Sequence, residues 1–299
     1  MKIQIIEDRC NRCLLCVHDC VAGAWRNVNG EPVMAAPELC SRCGHCVAVC
    51  PRSAIFHEAL DYRQMTQTDA DLLNPEVYRQ MVLGRRSIRQ YKNKAVPPEL
   101  VENILKLASH SPTASNSQNV AYTVISDKTI LGHLSDRVFG FGISLYEKSQ
   151  KGMGRIIYLI LRILFRDNVT RYLDPMDYYI READKGRDYI LHDAPVLILV
   201  HGPKKEMFNY ENCNIAAANI MNFAHTSGLG TCYIGFLTLA MKFSSGIRNL
   251  ARIPKDRKVC AALILGYPAY RHSFTTSRKQ PQIQWVCPTV TSKISGPGL

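Results

Sequence analysis

Eight of the chain's twelve cysteines fall within its first 50 residues, in one spacing used twice. Cys10, Cys13, Cys16 and Cys20 form C-x2-C-x2-C-x3-C, and Cys40, Cys43, Cys46 and Cys50 repeat it with every cysteine displaced by 30. Cysteine crowding of this kind is compatible with a disulfide scaffold, with structural zinc or with iron and sulfide. The duplication favours the last. Three thiolates at two-residue gaps can each take a corner of one 4Fe-4S cube, whereas the fourth lies too far along to fold back onto it. The four remaining cysteines, Cys213, Cys232, Cys260 and Cys287, stand singly in apolar stretches. They read as small core residues rather than nucleophiles.

Pro51 follows the second run, and Ala24-Trp25 is echoed by Ala54-Ile55 as matched apolar packing of two half-domains. This front end resembles the two-cluster bacterial ferredoxins, in which the fourth cysteine of each run ligates the other cube. The resemblance therefore implies one cube on Cys10, Cys13, Cys16 and Cys50, and a second on Cys40, Cys43, Cys46 and Cys20. Val21 stands where the family has its first proline, a change to a turn rather than to a ligand. Two cubes so close together make a one-electron wire with no substrate chemistry of their own. Of the histidines here, His18, His45 and His57 show no metal spacing; tuning a sulfur or contacting a partner is open to them, and surface or packing roles suit them best.

At 299 residues the chain is long enough for two unequal domains. The expected division is 1–60 for the cluster domain, 61–75 for a linker rich in Gln, Thr and Asp, and 76–299 for the larger domain. The N-terminus reaches Glu7 and Asp8 before any apolar run that could serve as a secretion signal, so a reducing, cytoplasmic setting is expected. The net charge of +12 is carried by the larger domain, because residues 1–60 hold six Lys/Arg against six Asp/Glu. Such an excess suits an acidic partner, a phosphorylated cofactor, anionic lipid or nucleic acid. No recognised nucleic-acid-binding module accompanies it, so no nucleic-acid partner is expected.

Past the linker, Pro75 is placed to open a helix ending near Gly84, with Val77, Met81 and Val82 on one face. Pro97-Pro98-Glu99 opens another through His110, with Leu100, Ile104, Leu107 and Ala108 inward. Strands are expected at Val120–Ser126, Val196–His201, Thr231–Ile234 and Val259–Leu265, separated by helices near 212–227 and 240–252. The mixture predicts an α+β fold, helices flanking a central, mostly antiparallel sheet.

Four segments carry a second resemblance. Arg85-Arg86-Ser87-Ile88-Arg89-Gln90-Tyr91 places guanidinium forks around a hydroxyl, a set suited to a phosphate, though equally to a solvated basic helix end or a nucleic-acid patch extended by Lys92 and Lys94. Ser111-Pro112-Thr113-Ala114-Ser115-Asn116-Ser117-Gln118 is a polar turn rich in amides that both donate and accept. Gly228-Leu229-Gly230-Thr231-Cys232-Tyr233-Ile234-Gly235 follows a helix rich in small residues, and Gly266-Tyr267-Pro268 leads on to Arg278-Lys279. In this order, over roughly residues 76–290, they resemble the nitroreductase family, and with the front end the ferredoxin–nitroreductase fusions. The resemblance implies FMN at the interface of a homodimer. Arg85, Arg86, Ser87, Arg89 and Arg278 would serve phosphate and ribityl chain. Pro112, Thr113, Ala114, Asn116 and Gln118 would approach the flavin from the partner subunit, and Tyr233, Ile234 and Gly235 would lie by its ring. Because Tyr233 replaces the last glycine of a Gly-x-Gly-x-x-Gly pattern, a Rossmann nicotinamide site is not expected.

The resemblance further implies an oxidoreductase. Electrons from an external ferredoxin-like donor would pass through the clusters and FMN to a small conjugated acceptor such as a nitroaromatic or quinone, with the direction of flow left open. Relay of electrons to a protein partner is the alternative. No Ser-His-Asp set, HExxH or Walker sequence offers other chemistry, and Tyr122, Tyr233 and Tyr267 are candidate proton donors or stacking groups. Residues 155–173 include an apolar run carrying Arg155, Arg162 and Arg166. It is far short of the roughly 20 residues that cross a bilayer. A lid or dimer contact is preferred for it over peripheral contact with an anionic membrane.

Overall fold

A computed structural model describes residues 1–166 and 173–286. Its first 60 residues are two copies of one small unit, joined by strand pairs that each take one strand from either copy. Strands β1 (Ile3–Ile5) and β4 (Ile55–His57) pair antiparallel, as do β2 (Trp25–Val28) and β3 (Glu31–Met34). The one-turn helices α1 (Leu15–His18) and α2 (His45–Ala48) follow the cysteine loops. The loops repeat even in backbone strain: Arg12 and Leu14 in one, and Arg42 and Gly44 in the other, take left-handed φ values. Only Gly44 adopts that region without a steric cost.

The connector contains two 3-10 turns, Tyr62–Gln64 and Ala70–Leu72, each opened by an aspartate side chain, Asp61 and Asp69. Tyr62 belongs with the front unit, since its hydroxyl accepts the His57 N–H at 2.8 Å and its ring stacks on Phe56. Helix α3 (Pro75–Gly84) begins as expected, with Asn74 accepting from the N–H groups of Glu76 and Val77.

The larger domain is a four-stranded antiparallel sheet in the order β5 (Ala121–Ile125), β6 (Val196–Pro203), β8 (Arg257–Gly266), β7 (Gly230–Tyr233). Both central strands are buried on both faces and so read as continuous apolar runs. Leu197, Leu199, Ala262 and Ile264 face a core built with Leu131, Leu134 and Val138 of α5 (Lys128–Gln150). Val196, Ile198, Val200, Leu263 and Leu265 face the opposite core with Ile104 of α4 (Pro98–Ala108) and Ala216, Ala217 and Ile220 of α8 (Asn209–Thr226). Each buried Val, Leu or Ile contributes about 1.5–3 kcal/mol, so the sheet is the stable platform of the domain.

The apolar face of α3 is uncovered: the helix has no buried residue, and Val77 and Val82 are exposed. Other expectations need correction. In α4, Leu107 is 46% exposed and Val101 takes the inward place instead. The helix expected at 240–252 is two, α9 (Gly235–Phe243) and α10 (Ser245–Leu250), because the extended Ser244 ends one and caps the other through its hydroxyl. The arginine-bearing apolar run forms α6 (Gly152–Leu164), which has no buried residue. Tyr158 and Arg162 both hold Asp174, just before α7 (Met176–Ala183). Cys213, Cys232 and Cys260 are buried as expected, whereas Cys287 lies outside the described residues.

Candidate functional site

The eight N-terminal cysteines divide between two cavities. Cys10, Cys13, Cys16 and Cys50 line one, walled by Ile5, Leu14, Pro32 and Ile55. Cys20, Cys40, Cys43 and Cys46 line the other, of about 610 Å³. Each set mixes three thiols of one run with the fourth of the other. Among the described residues no three His, Cys, Asp or Glu side chains converge on a point that would suit a single metal ion. A ring of four separated soft thiols fits a cube that presents one iron per corner. Burial pushes the bare Cys16 thiol up to about 11, so ligation there would have to release a proton.

The larger cysteine cavity is closed on its far side by the other domain. Its wall includes Ser111, Pro112, Thr113, Ser115, Asn116 and Gln118. The turn owes its shape to Ser115, Asn116 and Gln118, all with left-handed φ, and α8 holds it in place. Asn212 Oδ1 accepts from the Ala114 N–H at 3.0 Å, and Asn219 Nδ2 donates to Ser111 Oγ at 2.8 Å. Within the turn, Gln118 N–H donates to Thr113 Oγ1 at 3.0 Å. Asn116 turns away from its own domain, and its Nδ2 donates to the carbonyls of Ser41 and Arg42 at 3.1 and 3.0 Å.

The basic segment forms a separate site. Ser87 bridges Thr231 of β7, the Ile88 N–H donates to the Thr231 carbonyl at 2.9 Å, and Gln90 and Lys92 bond the chain after β8. Gly230 permits this approach, because a Cβ there would stand 2.5 Å from Ile88 Cγ1. Arg85 and Arg86 line a cavity of about 540 Å³ together with Lys92, His225, Arg271 and His272, and no carboxylate lines it. Ser87 and Arg89 line an adjoining one that shares Ile88, Tyr270 and His272. Burial, and then the neighbouring Arg85 and Arg86, depress the pKa of His225. The buried Arg86 Nε and Thr231 Oγ1 have no partner, which suits an anionic ligand with several acceptor oxygens. Arg86 otherwise donates to the carbonyls of Leu83, Arg85 and Phe274.

Other expected site residues are placed differently. Arg278 is exposed and, among the described residues, bonds Thr276 and Ser277, whereas Arg271 lines the cavity of Arg85, Arg86 and Lys92. Ile234 belongs to the core, and the Tyr233 hydroxyl lies 2.9 Å from the Cys260 carbonyl and 3.0 Å from Asn214 Oδ1. Gly235 lines a third cavity, of about 660 Å³, ringed by Lys204, Lys242, Arg248, Arg257 and Lys258. Tyr122 carries a buried hydroxyl without a partner, and Tyr267 lies under Lys94, 4.4 Å from its ring centre.

Two front-domain groups lie beside sulfur: for His57 the sequence offered this as the lesser alternative, and for Trp25 it offered packing alone. His57 is fully buried, its Nε2 3.5 Å from Cys40 Sγ, and Trp25 buries its indole N–H next to Cys46. A signal existed in the repeat: position 57 corresponds to Asn27, and position 25 to Ile55, so neither group has a counterpart in the other half.

Residues 82–267 match the nitroreductase family, and residues 9–55 match the 4Fe-4S dicluster domain. The chain belongs to the nitroreductase family. It is an oxidoreductase of that family with a ferredoxin domain in front. Among curated relatives, the iodotyrosine dehalogenase 1 homolog of Caenorhabditis elegans is 24% identical over 72% of this chain and 62% of its own length. The nitrobenzene nitroreductase of Ectopseudomonas oleovorans is 24% identical over 62% of this chain and 85% of its own. A solved nitroreductase from Bacteroides fragilis, crystallised with bound FMN, shares the fold with a TM-score of 0.53 and 20% identity, over 72% of this chain and all of that one. Among the described residues no helix is long and apolar enough to cross a membrane.

Proposed function

We propose that this protein passes electrons between two 4Fe-4S clusters and FMN to reduce a small conjugated acceptor such as a nitroaromatic or quinone. One observation carries this reading: the cysteine-lined domain is docked, cavity first, on the Ser111–Gln118 turn of the nitroreductase domain. The crossed cysteine sets hold the cubes. Arg85, Arg86, Ser87 and Arg89, joined by Arg271, hold the phosphate end of FMN, and Pro112, Thr113, Ala114 and Gln118 serve the flavin from a second copy of the chain. Supporting that homodimer, the phosphate cavity and the turn share no lining residue within one chain, and the apolar faces of α3 and α6 are uncovered. FMN supplies the conversion between single electrons and a two-electron reduction. The protein's part is to bind, orient and shield. A ferredoxin-like donor feeds the clusters, in the cytoplasm.

The rival reading, relay to a protein partner with no small substrate, draws on the cationic rim around Lys204, Lys242, Arg248, Arg257 and Lys258, which would attract an acidic surface. Steady turnover of anaerobic protein with reduced viologen and a panel of nitroaromatics and quinones separates the two. Turnover is expected with at least one acceptor class; none with any would sink the enzyme reading and leave the relay.

A further inference from the structure

The two cysteine cavities are unequal in ways the repeat itself exposes. Every residue lining the cavity of Cys10, Cys13, Cys16 and Cys50 comes from the front domain. The cavity of Cys20, Cys40, Cys43 and Cys46 opens onto the flavin-domain turn, and Asn116 fastens the Cys40–Cys43 loop there through two main-chain carbonyls. Hydrogen bonding to sulfur is unequal as well. His57 Nδ1 accepts the Ala59 N–H at 3.2 Å, which leaves the proton on Nε2, aimed at Cys40 Sγ at 3.5 Å. The Arg42 N–H donates to the same sulfur at 3.4 Å. Trp25 buries its indole N–H in the wall of the same cavity, with no hydrogen-bond partner. In the other half the corresponding positions are Asn27, which turns its carbonyl oxygen to the Gly30 N–H, and Ile55. Among the described residues, the sulfurs of the Cys10, Cys13, Cys16 and Cys50 set receive one such bond, from the Ala54 N–H to Cys50.

N–H donors to cluster sulfurs stabilise the reduced cube, which carries one more negative charge, and so raise its potential. Resting on the reading that these thiols hold cubes and that FMN binds the larger domain, we propose an order for the wire. The cube of Cys20, Cys40, Cys43 and Cys46 is the flavin-facing stage, set at the higher potential by His57 and the Arg42 N–H, and Asn116 positions it. The cube of Cys10, Cys13, Cys16 and Cys50 is the port for the external donor. Electrons run downhill from port to flavin. Two single-electron transits, each oxidising one low-potential ferredoxin-type donor molecule, supply the electron pair that the acceptor takes up with two protons from solvent.

The test is an anaerobic redox titration of the whole protein followed by electron paramagnetic resonance, on wild type and on His57→Leu, His57→Gln and Cys43→Ser. Two cluster potentials are expected. His57→Leu lowers only the one whose signal disappears in Cys43→Ser, and His57→Gln, which restores an N–H donor, recovers part of the shift. Asn116→Ala leaves both potentials and the iron content in place but slows reduction of bound flavin by the donor, per flavin, by roughly tenfold. Two intact cubes with no effect of His57→Leu, or a shift in the cube that survives Cys43→Ser, overturn the order alone. Oxygen-free protein without clusters overturns the underlying reading and the order with it.

Discussion

Replacing Gly230 by alanine puts one methyl group where the segment Arg85–Arg89 rests on the sheet. The new Cβ would lie 2.5, 2.7 and 2.9 Å from Cγ1, Cβ and Cγ2 of Ile88. Carbon atoms sit comfortably at about 3.5–4 Å, so something must move by about 1 Å. Ile88 has little room to give: it is buried, stiff at χ1, and its N–H is bonded to Thr231. Overpacking of this kind costs about 1–3 kcal/mol, while the loss of glycine's freedom in the unfolded chain returns about 0.4–1 kcal/mol. The net expectation is a loss of about 1.3 kcal/mol, roughly tenfold in the folding equilibrium and a fall in Tm of about 3–5 °C. Urea and thermal melts of the single variant, of Ile88→Ala and of the double variant form the assay. In the Ile88→Ala background two of the three close contacts are gone, and the cost of the alanine should drop by about 1 kcal/mol or more. Equal costs in both backgrounds, or a neutral Gly230→Ala, would refute the claim that this contact sets the height of the basic segment above β7.

Two further outcomes are expected. Arg271→Ala should weaken FMN binding by about tenfold or more, the loss of a charge-assisted contact, whereas Arg278→Ala should change it less than about twofold, both read by flavin fluorescence; the reverse order would restore Arg278 as the phosphate cation. His201, buried with Nδ1 unpartnered and near Arg257, has its pKa lowered to about 4 from 6.5. Because the fold holds it neutral, its contribution is complete above pH 6.5 and declines as pH falls towards about 4, with a loss on the order of 2 kcal/mol by about pH 4.5. In His201→Gln that part of the acid sensitivity should vanish from urea melts, and an unchanged slope would remove His201 as its source.

The cluster domain was legible because ligand spacing is a local property: the displaced repeat of eight thiols needs no tertiary knowledge. Strands β6 and β8 were legible as apolar runs, and the starts of α3 and α4 were marked by Asn74-Pro75 and Pro98. Periodicity tells which side of a helix is apolar but not whether anything covers it, so Leu107 was placed inward although a single chain leaves it exposed, as it does Val77 and Val82 on their shared face. Ser244 broke a helix inside an apolar stretch because a capping hydroxyl outweighs a continuous pattern. Arg278 was preferred to Lys279 from the resemblance, and Arg271 was not considered, because residues 267–286 have no period from which the direction of the chain could be read. The role of Asn116 was hidden for another reason. Its left-handed turn and its partners, Ser41 and Arg42, lie in different domains and meet only after folding.

The most direct measurement is the iron, acid-labile sulfide and flavin content of protein purified without oxygen, with the flavin spectrum followed after a one-electron donor is added. About eight iron atoms, about eight sulfides and about one FMN per chain are expected, and the flavin should bleach in wild type but not once Cys20, Cys40, Cys43 and Cys46 are replaced. Iron-free protein, or flavin bleaching as quickly without those four sulfurs, would contradict the account.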